Sequence, residues 1–279
     1  MLPIIYGLFA AAGWGAADFT GGLASRRTGA YRTVLYGEVV GLVFIISAVV
    51  LTKEARPAWP ALALAGTAGA IGTTGLLMLY HALATGKMSI ATPVSALMAA
   101  AIPVLAGTLM DGFPGMWTFL GFGLSLAAIW LISREAGNNS HILTHISELR
   151  LPLLAGIGFG TYFILMHNAA QASTIWPMLA SRSGGMLIML VYIAARQDTW
   201  RVTGRAWPYI VLNSLLDVGG NAFYLLASQA GRMDVAAVLS SLYPAATVLM
   251  AALILKERVA RSQALGILMA LLAIVFLTI

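Results

Sequence analysis

The sequence predicts an all-α polytopic membrane protein, with ten transmembrane helices arranged as two inverted five-helix repeats (5+5). Three observations predict it. Hydrophobic residues make up 60% of the 279 positions, charged residues only 9%, and the mean hydropathy is +0.88. A soluble domain needs roughly a quarter of its residues charged to cover its surface, so a cytosolic enzyme is excluded. Ten apolar segments also approach the about 20 residues that cross a hydrocarbon core. Finally, the second half of the chain repeats the first at a constant spacing of 145 positions.

Taken in order, the first span covers 3–23 and has no cationic stretch before it, the first cations being Arg26 and Arg27. It is therefore expected to stay as a helix rather than be removed as a signal peptide. Spans two to five cover 32–52, 60–82, 89–109 and 116–133, joined by SRRTG, KEARP, TGK and DGFPG. The longest connector, REAGNNSHILTHISELR from Arg134 to Arg150, divides the chain. Spans six to ten follow at 151–170, 175–195, 207–228, 234–255 and 261–279. The expected organisation is a five-helix unit at 1–137, a linker at 138–150 and a second unit at 151–279.

The repeat is visible where GKMSIATPVSAL (Gly86–Leu97) returns as GRMDVAAVLSSL (Gly231–Leu242). Gly86–Leu131 aligns with Gly231–Phe276 without a gap, with 13 of 46 positions identical. Gly86/Gly231, Met88/Met233, Ser95/Ser240 and Gly121/Gly266 are matches outside the abundant Ala and Leu. The same spacing carries GWG at 13–15 onto GFG at 158–160, which argues for duplication. A unit with an odd number of spans, repeated in tandem, enters the membrane from opposite sides. The halves are then inverted, the arrangement in which secondary transporters open one site to either side.

These features carry a resemblance. The GWGAADF opening, the junctions ALATGKMSIATPVSAL and LASQAGRMDVAAVLSSLYP, and the stretches DGFPGMWTFLGFGL and KERVARSQALGILMALL resemble the drug/metabolite transporter superfamily. Within it the chain is similar to the EamA-type ten-helix carriers, over nearly its whole length. Lys256-Glu257-Arg258 matches that family's usual turn; Asp111-Gly112, in the equivalent place, departs from it. The resemblance implies a multi-pass protein of the bacterial inner membrane that exports or exchanges small metabolites, amino acids among them. It also implies a central cavity built from spans one, three and four and their counterparts six, eight and nine.

Ionisable groups inside a span cost at least a few kcal/mol each when unpaired, so each one needs a reason. Asp217 lies near the middle of span eight, with Asn213, Asn221, Tyr224 and Ser228 at helical spacings on the same face. Such a stripe faces either a wet cavity or a helix–helix hydrogen-bond seam. Asp18 lies one turn past Trp14, so a carboxylate shares a face with an indole. It reads as a proton-coupling acid, as a counter-charge for a substrate amine, or as a group bonded near the helix end. Glu38 and Arg182, at corresponding depths of spans two and seven, are expected to pair, with a structural or gating role. His81, beside Tyr80 at the end of span three, and His167 are read as hydrogen-bonders or switches. Ser95 and Ser240, followed at three residues by Met98 and Tyr243, face a cavity or permit close helix crossing, and Pro244 is expected to kink its helix. Ser89 and Asp234 are placed to cap the helices that follow.

The expected substrate-binding set is thus Trp14, Asp18, Tyr80, His81, Ser95, Met98, Phe159, Tyr162, Asp217, Asn221, Tyr224, Ser240 and Tyr243. It is rich in aromatics and hydroxyls and poor in cations, whereas a phosphorylated substrate would need several Lys or Arg. The expected partners are the lipid bilayer, a neutral or zwitterionic solute such as a large apolar or aromatic amino acid, and protons as a coupling ion. A lipophilic-cation drug exporter is the alternative, and a membrane-embedded enzyme the remote one, since no HExxH or GxSxG motif occurs. No cofactor, metal or nucleic acid is expected: cysteine is absent, and the cations sit singly or in pairs at span ends rather than in a basic stripe. Twelve Lys and Arg fall on the face opposite the termini against three on the termini's own face, which predicts both termini outside. The family resemblance implies cytoplasmic termini.

Overall fold

In the computed structural model, residues 1–85, 88–132, 146–196, 200–202, 204–254 and 260–278 are described. The elements are α1 (Leu2–Thr28), α2 (Ala30–Thr52), α3 (Trp59–Thr85), α4 (Met88–Asp111), α5 (Met116–Ile132), α6 (Ile146–Ala169), α7 (Ile175–Arg196), a single helical turn at Gly204–Ala206, α8 (Trp207–Ala230), α9 (Met233–Ser240), α10 (Tyr243–Ile254) and α11 (Arg261–Thr278). Eight stretches are long and apolar enough to span a membrane, one of them running through α9 and α10, and α5 and α11 are shorter apolar helices. That makes ten spans among the described residues. The surface is apolar where a soluble protein would be charged: Val43, Leu105, Leu109, Leu253, Leu268 and Leu271 are all more than half exposed. Helices suit such a surface because each satisfies its own backbone polar groups without water.

Helix ends depart from the apolar runs in a consistent direction. The first helix continues to Thr28, and α6 begins at Ile146, so Ser147–Arg150 is helical although its polarity reads as linker. Apolarity marks the part of a helix that lies in hydrocarbon, not where its backbone hydrogen bonds stop. The midpoint of the linker and the Lys256-Glu257-Arg258 turn lie outside the described residues. In the turn between α4 and α5, Gly112 and Gly115 both take positive φ (81° and 96°), which is what the departing DGFPG sequence supplies. The start of α7 is capped from the other half: the Glu54 carboxylate accepts the Thr174 and Ile175 N–H groups, each at 2.9 Å.

Inversion of the halves appears in matched glycine contacts. A Cβ at Gly13 of α1 would meet the Leu216 carbonyl and the Gly220 backbone of α8 at 3.2 Å. Its counterpart Gly158 of α6 lies over the Ile71 carbonyl and Gly75 of α3, at 3.3 and 3.4 Å. Every residue in the first contact maps onto the second through the spacing of 145. The pair Gly121 and Gly266 does the same, Gly121 lying against Ala273 and Leu277 of α11, Gly266 against Ala128 and Ile132 of α5. With no hydrophobic drive between helices in lipid, close backbone approach at small residues supplies the packing energy.

The halves differ in the course of one span. Span nine is broken at Ser241-Leu242, between α9 and α10, whereas α4 runs unbroken through the equivalent positions. Pro244 explains the break: it has no N–H, and its ring would clash with the carbonyl four residues back, that of Ser240. The equivalent of Pro244 in α4 is Ala99. Tight bonds from Leu242 N–H to Leu239 O (3.2 Å) and from Ala245 N–H to Leu242 O (2.9 Å) re-satisfy the freed backbone.

Candidate functional site

Seven helices and the start of α10 line a cavity of about 160 Å³ near mid-span, with residues of both halves. An engineered cavity of about 150 Å³ accepts benzene, so the space suits a small organic molecule. Helix α1 contributes Trp14 and Asp18, α2 Glu38, α3 Thr73, and α4 the small Ala99. Phe159 and Tyr162 come from α6, Ser181 and Arg182 from α7, Asp217 and Asn221 from α8, and Tyr243 from α10.

A continuous polar chain crosses this cavity. The Thr73 hydroxyl donates to Glu38 Oε1 (3.2 Å), and Glu38 Oε2 takes Arg182 Nη1 at 3.0 Å. Arg182 Nη2 in turn pairs with Asp217 Oδ2. Asn221 Nδ2 donates to the Asp217 carbonyl (2.7 Å) and carboxylate (3.2 Å), and the Tyr162 hydroxyl donates to Asn221 Oδ1 at 2.5 Å. The Glu38 and Arg182 side chains are only 8% and 12% exposed, whereas Asp217 is 34% exposed, so Asp217 is the most open of the three charged members. Two glycines make room for the chain. A Cβ at Gly41 would crowd the Arg182 guanidinium at 3.3 Å, and one at Gly185 would collide with the Thr73 hydroxyl.

Asp18 differs from these acids. It lines the cavity half-buried, with no hydrogen-bond or ion-pair partner among the described residues. Beside it the Trp14 ring stacks on Phe163 (5.5 Å between centroids) and on Tyr224 (5.9 Å), an aromatic bed whose lower layer is fixed by a 2.8 Å bond from the Tyr224 hydroxyl to the Phe163 carbonyl. Trp14 rests directly on Gly220, where a Cβ would displace it.

Seven residues of the expected set therefore share one cavity: Trp14, Asp18, Phe159, Tyr162, Asp217, Asn221 and Tyr243. Four others do not line it: Ser95, Met98, Tyr224 and Ser240. Ser95 and Ser240 are fully buried away from it, their hydroxyls without partners among the described residues. Ser95 and Met98 instead form the α4 surface on which Gly156 of α6 packs, so small size rather than polarity places the serine there. Tyr224 is fully buried beneath Trp14. Tyr80 and His81 lie outside the residues whose side chains are described, as does Ser89. His167 bonds to the neighbouring Gln171 side chain (3.2 Å) and does not line the cavity.

The polar stripe on α8 serves both of its expected uses. Its centre, Asp217 and Asn221, lines the cavity. Asn213 donates to the Ala17 carbonyl (2.7 Å) as a seam with α1, and Ser228 bonds within its own helix. Asp234, expected to cap the helix that follows, is not its N-cap residue, though its carboxylate accepts the Val235 N–H of the first turn at 2.8 Å. The N-cap of α9 is Arg232, and Asp234 sits in the first turn, holding the Arg232 guanidinium at 2.7 Å. That carboxylate raises the Arg232 pKa above its ordinary value. Glu38 and Arg182 were expected to pair in a structural or gating role; they do pair, and both also line the cavity, because pairing was legible in the sequence but not which volume it borders. Thr73 and Ser181 were missed, because a single hydroxyl in an apolar helix gives no signal of direction.

Inverted five-helix halves around a mid-span cavity, crossed by buried charges, define a membrane carrier. The sequence model of the EamA-like transporter family matches residues 1–134 and 148–279, and the chain belongs to that family, within the drug/metabolite transporter superfamily. It is 24% identical over 122 residues to an uncharacterized protein, MJ1333.1, of Methanocaldococcus jannaschii; the match covers 44% of this chain and 88% of that one. A solved crystal structure superposes over 99% of this chain and 98% of its own with a TM-score of 0.81, at 17% identity, a likeness of fold.

Proposed function

We propose that this chain is a secondary transporter of the bacterial inner membrane. It exports or exchanges small metabolites, amino acids with large apolar or aromatic side chains foremost, by alternating access through the cavity between its halves. One observation carries the choice of solute. Among the described residues the only cation lining the cavity is Arg182, and it is already held by Glu38 and Asp217. A phosphate or other polyanion would find no free positive charge, while a neutral or zwitterionic body fits walls of Trp14, Phe159, Tyr162 and Tyr243. Counterflow in proteoliposomes tests this: labelled amino acid outside should accumulate against unlabelled amino acid inside, unchanged chemically. Conversion of the label to a product would overturn the carrier reading, and counterflow of sugar phosphates alone would overturn the choice of solute.

A further inference from the structure

We infer that the cavity reads the ammonium group of its solute at Asp18 and does not read a carboxylate, so that arylalkyl monoamines lacking the carboxylate bind better than the matching amino acids. This rests on the carrier reading for the cavity and changes its choice of solute, from the amino acid to the matching amine.

The charge balance comes first. Asp18 on α1, Glu38 on α2 and Asp217 on α8 are the acids that line the cavity, against Arg182 on α7 as the only cation among the described lining residues. Three carboxylates face one guanidinium. The remaining polar groups facing the cavity, Thr73 of α3, Tyr162 of α6, Ser181 of α7, Asn221 of α8 and Tyr243 of α10, carry no charge to offset the excess.

Geometry then decides which acid is short of a partner. Both ends of the guanidinium are taken, one by each flanking carboxylate. Asp217 is held a second time by Asn221, and Glu38 a second time by Thr73. A solute carboxylate arriving at Arg182 would have to evict one of these acids and leave it buried without a counter-charge. Asp18 has no such claim on it. An unpaired carboxylate in a membrane-embedded, mostly apolar cavity is strongly favoured by an incoming cation, and a primary ammonium adds directed hydrogen bonds.

The body of the solute is set by what surrounds Asp18. Trp14 lies one helical turn away with its ring fixed on Phe163 and Tyr224, and Tyr243 lies across the cavity wall on α10. An aryl group attached to the ammonium by a short alkyl arm lies along this bed while its nitrogen reaches Asp18. Trp14 and Asp18 come from the first half and Tyr243 from the second, so such a solute bridges the two halves.

The test is equilibrium binding of labelled phenethylamine to the purified full-length protein, competed by unlabelled phenethylamine, phenylalanine, phenethyl alcohol and hydrocinnamate. Phenethylamine should compete best, phenylalanine and the alcohol more weakly, and hydrocinnamate not at all. Asp18→Asn should weaken phenethylamine binding by about tenfold or more, the scale of one charge-assisted hydrogen bond, while leaving competition by the alcohol unchanged. Asp18→Glu, which keeps the charge, should recover part of the affinity, and a folded Asp18→Asn protein is verified by its thermal melt. Phenylalanine or hydrocinnamate competing better than phenethylamine would overturn the inference, as would an absence of phenethylamine binding. The same label in proteoliposomes separates the two readings. Binding without counterflow overturns the carrier while sparing the ammonium site; counterflow of phenylalanine that phenethylamine does not inhibit overturns the ammonium site while sparing the carrier.

Discussion

Arg182 of the second half meets Glu38 of the first at 3.0 Å, and the two helices cross at equivalent positions, since 37 and 182 are related by the repeat spacing. The duplicated unit therefore carries opposite charges where its two copies touch. One copy has supplied the acid and the other the base, so divergence of the repeats, rather than their identity, produced the ion pair.

This pairing predicts an asymmetric response to mutation. Arg182→Met leaves the buried Glu38 and the half-buried Asp217 without a counter-charge and should destabilise the fold by about 3–5 kcal/mol, the usual cost of orphaning one member of a buried pair. Adding Glu38→Gln and Asp217→Asn to it should recover much of that loss. Thermal unfolding of the detergent-purified variants measures both effects; a triple variant no more stable than the single one would show that the charges do not act as a unit.

Asp217→Asn is a different experiment, because Arg182 keeps Glu38. The fold should persist, with normal membrane abundance, while counterflow falls by about tenfold or more, in keeping with one charge-assisted hydrogen bond at the cavity wall. Flux equal to that of the unaltered protein across pH would remove Asp217 from transport.

Placement of the repeated serines makes an equally sharp prediction in the opposite sense. Ser95→Ala and Ser240→Ala remove buried hydroxyls that have no partners among the described residues, so stability should hold or rise, by up to about 1–3 kcal/mol, and substrate affinity should be unchanged. Trp14→Ala and Tyr243→Ala should instead raise the half-saturating substrate concentration more than they lower abundance. A loss of flux in either serine variant would place its hydroxyl in the transport path.

The glycine seams are testable against an internal control. Gly13→Leu forces a side chain into the Gly220 backbone and should cost about 1–3 kcal/mol or more by overpacking, with Gly158→Leu behaving alike on the inverted contact. Gly123 has open space around its Cβ position, so Gly123→Leu should leave the melting temperature near its original value.

Membrane orientation follows from charge. The ten spans read from the sequence assign twelve Lys and Arg to the face opposite the termini and three to the termini's own face. A reporter fused to the C-terminus should therefore register outside the cytoplasm. A cytoplasmic signal would show that the family's implied orientation holds in spite of the charge.

What the sequence determined by itself follows from properties that accumulate along the chain. Apolar length marked ten spans, the odd number in each repeat required inversion, and Pro244 marked the break in span nine, because proline removes a backbone donor wherever it stands. Helical spacing likewise placed Trp14 with Asp18, and Asp217 with Asn221, each pair on one face. Only the tertiary structure decided what those faces meet. A helix buried on several sides offers more than one inward direction, so spacing could not tell that Ser95 packs on Gly156 while Tyr243, three residues past the equivalent serine, opens onto the cavity. Nor could it tell that Arg182 is shared between Glu38 and Asp217, leaving Asp18 as the cavity acid without a partner among the described residues. Pairing of charges depends on distances between helices, and around Arg182 close approach is permitted by Gly41 of α2, Gly66 and Gly69 of α3, and Gly184 and Gly185 of α7.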